Sequence, residues 1–154
     1  MNQLYVLVSN RIFLSGLFGW LIAQIAKMTI DYLKGRTHSS GDVISTLLWK
    51  TGGMPSSHSA LVTSLATSIA VFHGVSSTFF ILALFFGGVV IRDALGVRRS
   101  SGQQAQVLNQ LGRRLSEQEL ITFNPVKEVS GHTLPEVTVG MVIGLLVALL
   151  FSLY

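Results

Sequence analysis

From Thr51 to Ile91 the chain carries no Lys, Arg, Asp or Glu. A helix that crosses a bilayer needs about 20 predominantly apolar residues, so this run is long enough for two of them. The turn signature His73-Gly74-Val75-Ser76-Ser77 divides it. The reading is a short span over about 58–73, then a span over about 78–97. Their tight connection makes them an antiparallel pair, with His73 as a turn residue at the far interface.

Two further spans follow from the same argument. Ile12 to Ala26 is uncharged and, with Lys27 to Ile30, forms the first; Val137 to Tyr154 forms the last. Only 12% of the residues are charged, against about 25% in a soluble domain, and the mean hydropathy is +0.58. The fold class expected is therefore all-α: a polytopic membrane helix bundle of about four spanning helices, forming one domain over residues 1–154. Residues 1–10 read as a short interfacial lead-in, with no cleavable signal peptide. Gly140 and Gly144, with Thr133, permit close helix packing in the last span. The absence of cysteine excludes disulfides, thiolate metal sites and a cysteine nucleophile.

The polar segments lie between the spans. Asp31 to Lys50 reads as a loop carrying Lys34, Arg36 and Lys50 as topology or headgroup charges, a solvated His38 and Trp49 as an interfacial anchor. Arg92 to Lys127 is the second polar segment. Within it, Val107, Leu108, Leu111 and Leu115 form an apolar stripe over Gln103 to Leu120, which predicts a cytoplasmic amphipathic helix lying on the membrane or against the other loop. Four spans put both termini on one side, near Arg11. The other ten Lys and Arg fall on the opposite side, which the positive-inside rule makes cytoplasmic. The expected topology is N-out and C-out, with both long loops inside.

That topology gathers chemistry on the cytoplasmic face. Lys27 ends the first span, and Ser56, Ser57 and His58 begin the second. Arg92, Asp93, Arg98 and Arg99 end the third, and His132 and Glu136 begin the fourth. In Gly52-Gly53-Met54-Pro55-Ser56-Ser57-His58-Ser59 the glycines can bring backbone N–H groups close to a ligand. Pro55 stops any upstream helix, and a serine after it caps the next, whose first turn suits a phosphate. His132 and Glu136 are four apart, so on a helix the carboxylate can hold one ring nitrogen and leave the other as a nucleophile. Pro135 is tolerated in a first turn.

Two imidazoles among cations at a helix N-terminus point to phosphoryl transfer, one attacking phosphorus and the other protonating the leaving oxygen. A zinc site of two His and one Glu fits less well, because the nearby cations repel the metal. Basic residues are too few and too scattered along span ends for a nucleic-acid surface.

These residues resemble a known pattern. Pro55-Ser56-Ser57-His58 is similar to the Pro-Ser-Gly-His motif of the type-2 phosphatidic acid phosphatase superfamily, which includes vanadium-dependent haloperoxidases. His132-x-x-x-Glu136 resembles its His-x-x-x-Asp element. Asp93 with Gly96-Val97-Arg98-Arg99, Ala105-x-Val107-Leu108-Asn109 and Gly131-His132-Thr133 resemble a small divergent branch, the acid phosphatase/vanadium-dependent haloperoxidase-related membrane proteins. The resemblance covers roughly residues 15–150. Ser57 stands in place of glycine and Glu136 in place of aspartate. Lys27-x6-Lys34 keeps the spacing of the first motif without its Arg-Pro, and Val126 stands where an arginine is usual.

The resemblance implies that His132 is the nucleophile, Glu136 its orienting partner and His58 the general acid. Ser56, Ser57, Lys27, Arg98, Arg99 and Lys127 would hold phosphate, with Asp93 and Gly53 in support. It implies no metal and no cofactor. The function expected is a membrane-embedded phosphatase acting on a lipid phosphate monoester or pyrophosphate through a phosphohistidine. Phosphatidylglycerol phosphate, a prenyl phosphate and phosphatidic acid all fit as substrates. The partners expected are that lipid and the surrounding membrane lipids, with no nucleic acid; a homo-oligomer is compatible with the sequence. The alternative is a non-catalytic membrane protein that binds phosphate or anionic lipid headgroups.

Overall fold

The computed structural model describes residues 2–35, 53–128 and 131–153. Arg36, His38, Trp49, Lys50 and Gly52 lie outside the described residues. The elements are α1 (Gln3–Val8), α2 (Arg11–Leu33), α3 (Ser57–His73), α4 (Thr78–Arg92), a π turn (Asp93–Val97), α5 (Arg98–Glu117) and α6 (Leu134–Leu153). Among the described residues there is no strand.

Local chemistry sets the boundaries. The Asn10 side chain accepts from the backbone N–H groups of Ile12 and Phe13 and starts α2. Ser56 and Ser77 do the same for α3 and α4, accepting from the N–H groups of Ser59 and Phe80. Gly74, at φ +82°, ends α3 in a conformation that a side chain disfavours.

Helix α3 is the centre of the bundle, packed against α2, α4 and α6, and α2 also meets α6. Apart from Val62, its buried positions are small or hydroxylic: Ser57, Ser59, Ala60, Ser64 and Ser68. The facing helices answer with Ser15, Gly16, Gly19 and Ala23 on α2 and Gly140, Gly144 and Ala148 on α6. The Ser15 hydroxyl hydrogen-bonds to that of Ser68. Large apolar side chains point outward instead, with Phe85 71% and Leu82 69% exposed. Small residues inside and bulky ones outside is the arrangement a bilayer favours, because lipid tails solvate leucine as well as a core does, whereas close backbones gain packing and hydrogen bonds. Three helices are long and apolar enough to cross a membrane: Arg11–Leu33, the continuous Thr78–Glu117, and Leu134–Leu153. The fourth, α3, has 17 residues and is shielded among the other three. The protein is an integral membrane helix bundle.

The second polar segment differs from expectation. The π turn joins α4 and α5 without a break, so residues 78–117 make one 40-residue rod. At 1.5 Å per residue that is about 60 Å, twice the ~30 Å hydrocarbon thickness. The amphipathic helix thus begins at Arg98 and extends from the bundle as an arm. Segment 121–128 folds back along it. The Asn109 amide donates to the Val126 carbonyl and to Glu128 Oε1, both at 2.9 Å, and its Oδ1 accepts from the Val126 N–H at 2.9 Å. Phe123 lies against Gly112, where a Cβ would meet its ring at 2.4 Å. Asn109→Ala removes these hydrogen bonds and leaves the exposed Val126 backbone to water, costing about 0.5–1.5 kcal/mol for each bond lost. Faster amide exchange confined to 121–128 is the expected readout, and unchanged exchange there would refute the clamp.

Helix α2 also runs further than expected. Asp31 belongs to α2 and is 4% exposed, where the sequence placed it in a polar loop.

Candidate active site

The site forms where four chain segments meet at one end of the bundle: the end of α2, the start of α3, the π turn and the start of α6. Backbone hydrogen bonds tie them together. The Ser56 N–H donates to the Glu136 carbonyl at 2.9 Å, and the His132 N–H donates to the Ala94 carbonyl at 3.1 Å. Gly131 crosses the start of α5 so closely that a Cβ would lie 2.4 Å from Arg99 Cα.

Thr133-x-x-Glu136 forms the carboxylate half of a capping box. Glu136 Oε2 accepts from the Thr133 N–H at 2.9 Å, and the same oxygen lies 3.3 Å from His132 Nδ1. One carboxylate therefore starts α6 and fixes the imidazole. With Nδ1 engaged, Nε2 is the nitrogen left for chemistry. His132 is 6% exposed. Burial holds it below the ordinary histidine range; the Glu136 hydrogen bond opposes this, and the charges of Lys27 and Arg98 add to the lowering. At neutral pH its ring is uncharged, as a nucleophile must be.

His58 is the second residue of α3, in its first turn, and is exposed. It lies within electrostatic reach of Arg98, His132, Lys27 and Asp93. Arg98 Nε donates to Asp93 Oδ2 at 2.6 Å. The π turn makes this pairing possible, because its wider i→i+5 closure brings residues five apart to one side. Lys27 is 2% exposed, and its Cε is 3.2 Å from where a Cβ on Gly53 would sit. Lys27 and Arg98 thus supply positive charge around the two imidazoles.

Of the residues singled out by sequence, His58, His132, Glu136, Lys27, Arg98 and Asp93 come together, with Gly53 beside Lys27. Ser56 is fully buried as the cap of α3; its Oγ accepts from Ser59 Oγ at 2.9 Å, which makes it a structural hydroxyl. Ser57 is buried as the first residue of α3. Arg99 and Lys127 are exposed, and neither is among the charges that reach the imidazoles.

Sequence reasoning missed Gln24 and Asp31. Both are buried with Lys27 at i−3 and i+4 on α2, and each of the three has polar or electrostatic contacts. The four-residue spacing of Lys27 and Asp31 was the available signal; placing the end of the helix before Asp31 hid it.

The profile of the family described as "Divergent PAP2 family" matches residues 8–147. A Bacillus subtilis (strain 168) protein described as "Uncharacterized membrane protein YuiD" is 35% identical, over 96% of this chain and 98% of its own length. No solved structure matches significantly. The matched region takes in α2, α3, α4, most of α6 and both site histidines, so the paired-imidazole site and most of the helical bundle are the parts the family profile spans. The chain is an integral membrane protein that belongs to the Divergent PAP2 family.

Proposed function

We propose that the protein is a membrane phosphatase that hydrolyses a lipid phosphate monoester or pyrophosphate: a phosphatidylglycerol phosphate, a prenyl phosphate or phosphatidic acid. The observation that carries this reading is the meeting of two imidazoles with Lys27 and Arg98, one imidazole being held through Nδ1 by a carboxylate. The lone pair of His132 Nε2 forms a bond to phosphorus as the bond from phosphorus to the lipid oxygen breaks. His58 gives its proton to that oxygen. Water then attacks the phosphohistidine, His58 takes a proton back, and inorganic phosphate leaves. Lys27 and Arg98 balance the charge spread over the equatorial oxygens.

The direct test is phosphate release from these lipids by purified protein, with trapping of an acid-labile, base-stable phosphohistidine by quenching in alkaline detergent. Saturable phosphate binding without turnover or trapped intermediate would favour the non-catalytic, headgroup-binding alternative.

Attack needs neutral His132, so the acid limb of the pH profile should follow its lowered pKa and lie below the ordinary value of about 6.5. Lys27→Gln removes a charge that disfavours the imidazolium, so the acid limb should move to higher pH in a profile of kcat/KM. An unmoved limb would mean that Lys27 does not face the reacting imidazole.

The site end of the bundle is cytoplasmic in this reading, with both termini outside. The chain has no native cysteine, so single substitutions report sidedness. In intact cells a membrane-impermeant maleimide should label Ser76→Cys, and should label Gln118→Cys only after permeabilisation. The reverse pattern inverts the topology.

A further inference from the structure

We propose that the groove between α3 and α4 binds the hydrocarbon tail of the lipid whose phosphate occupies the site between His58 and His132. This rests on the phosphatase reading for its headgroup and adds a second, apolar subsite.

The groove holds about 360 Å³ and is lined by Val62, Ala66 and Ala70 of α3 and Gly87, Gly88 and Ile91 of α4. Three observations point to the tail of that lipid. The first is continuity with the site. Val62 follows His58 by four residues and shares its face of α3, and Ile91 immediately precedes Arg92 and the π turn. From Val62 the groove runs eight residues along α3, about 12 Å toward the opposite end of the bundle. A chain lying in it would place its head at the imidazoles.

The second is how the groove is built. The outward residues of α4 are bulky, Leu82, Phe85, Phe86 and Val89 among them, while Ala83, Gly87 and Gly88 face the groove. A Cβ on Gly88 would meet nothing within 4 Å. The helix is thinned on the groove side, and among the described residues no side chain fills the space.

The third is charge. Lys27 and Arg98 act on His58, one helical turn beyond the Val62 end of a mainly apolar trough, which matches a molecule with an anionic head and a long apolar tail. A groove of similar volume between α2 and α3 fits this worse, because its α2 wall ends at Trp20, two turns short of Lys27.

The test compares Gly88→Leu and Ala66→Leu, which fill the trough from either helix, with Leu82→Phe, which adds bulk to the lipid-facing side of α4. Substrates are long-chain phosphatidic acid in detergent micelles and water-soluble p-nitrophenyl phosphate. Both groove variants should lose about tenfold in kcat/KM for the long-chain lipid through a higher KM, the scale of losing one or two methylene contacts, and keep wild-type rates on the soluble ester. An equal loss on both substrates, no loss, or the same loss in Leu82→Phe overturns the proposal.

If the wild type hydrolyses neither substrate, the phosphatase reading fails on its own. Phosphatidic acid with a photoactivatable tail then decides the groove. Crosslinks to residues 83–91 that phosphatidic acid displaces and phosphatidylcholine does not support the site. Displacement by both alike means a bulk lipid chain only and overturns it.

Discussion

Replacing His132 by alanine should lower lipid-phosphate hydrolysis by at least about 10³-fold and abolish the trapped phosphohistidine, because the imidazole held by Glu136 and aimed at phosphorus is gone. His58→Ala should behave differently. It removes the proton donor to a poor leaving group, so the lipid ester should slow by about 10²–10⁴-fold. An ester with an acidic leaving group should be nearly spared at the phosphorylation step, and phosphohistidine should still form. Glu136→Gln separates the two jobs of that residue. Its side-chain oxygen can still accept from the Thr133 N–H and keep α6 capped, but it carries no charge to orient and balance the imidazole. Turnover should fall while thermal stability stays near wild type. Phosphate release at wild-type rates in both histidine variants would remove the mechanism.

The largest expected effect on stability comes from Gly140 and Gly144. A Cβ at Gly140 would stand 2.3 Å from the Ser56 carbonyl oxygen, and one at Gly144 would stand 2.3 Å from that of Ala60. Both obstacles are backbone atoms at the start of α3 and within it, so no rotamer change relieves them; the helices must part. Gly140→Ala and Gly144→Ala should each cost about 1–3 kcal/mol, and leucine more. The functional effect should exceed the stability effect at Gly140. Its neighbour Ser56 caps α3 and is bonded to the Glu136 carbonyl, so moving α6 away from α3 separates the His58 turn from the His132 turn. Gly140→Ala protein that stays folded should therefore lose most of its turnover, while Gly144→Ala, one turn deeper, should lose stability with a smaller loss of activity. Equal loss of activity in the two would show that this contact does not set the imidazole separation.

Much of this architecture is legible in the order of the amino acids. The long charge-free runs mark the spans, since a charge is costly in hydrocarbon wherever it falls. Alternating the spans brings Lys27, His58, Arg98 and His132 to one end; the four-residue spacing pairs His132 with Glu136, although His132 lies before α6 and reaches the carboxylate from outside the helix. The small residues Gly140 and Gly144 advertise close packing, and the structure pairs them with α3. Other features are hidden because they are not local. Thr133-x-x-Glu136 is written in the sequence, but whether Glu136 caps, orients or does both depends on where His132 is anchored, and the Ala94 carbonyl decides that.

Hydropathy and a 3.6-residue period act between neighbours along the chain, so the linear order alone fixes which segments are apolar enough to cross a membrane and which chemistry gathers at their ends. Which arginine faces the imidazoles is settled in three dimensions. Each residue turns a helix by about 100°, so adjacent Arg98 and Arg99 diverge, and the π turn before them resets the direction by an amount no periodicity predicts. Packing likewise buries Asp31 beside Lys27, since the length of α2 is set by what surrounds its end.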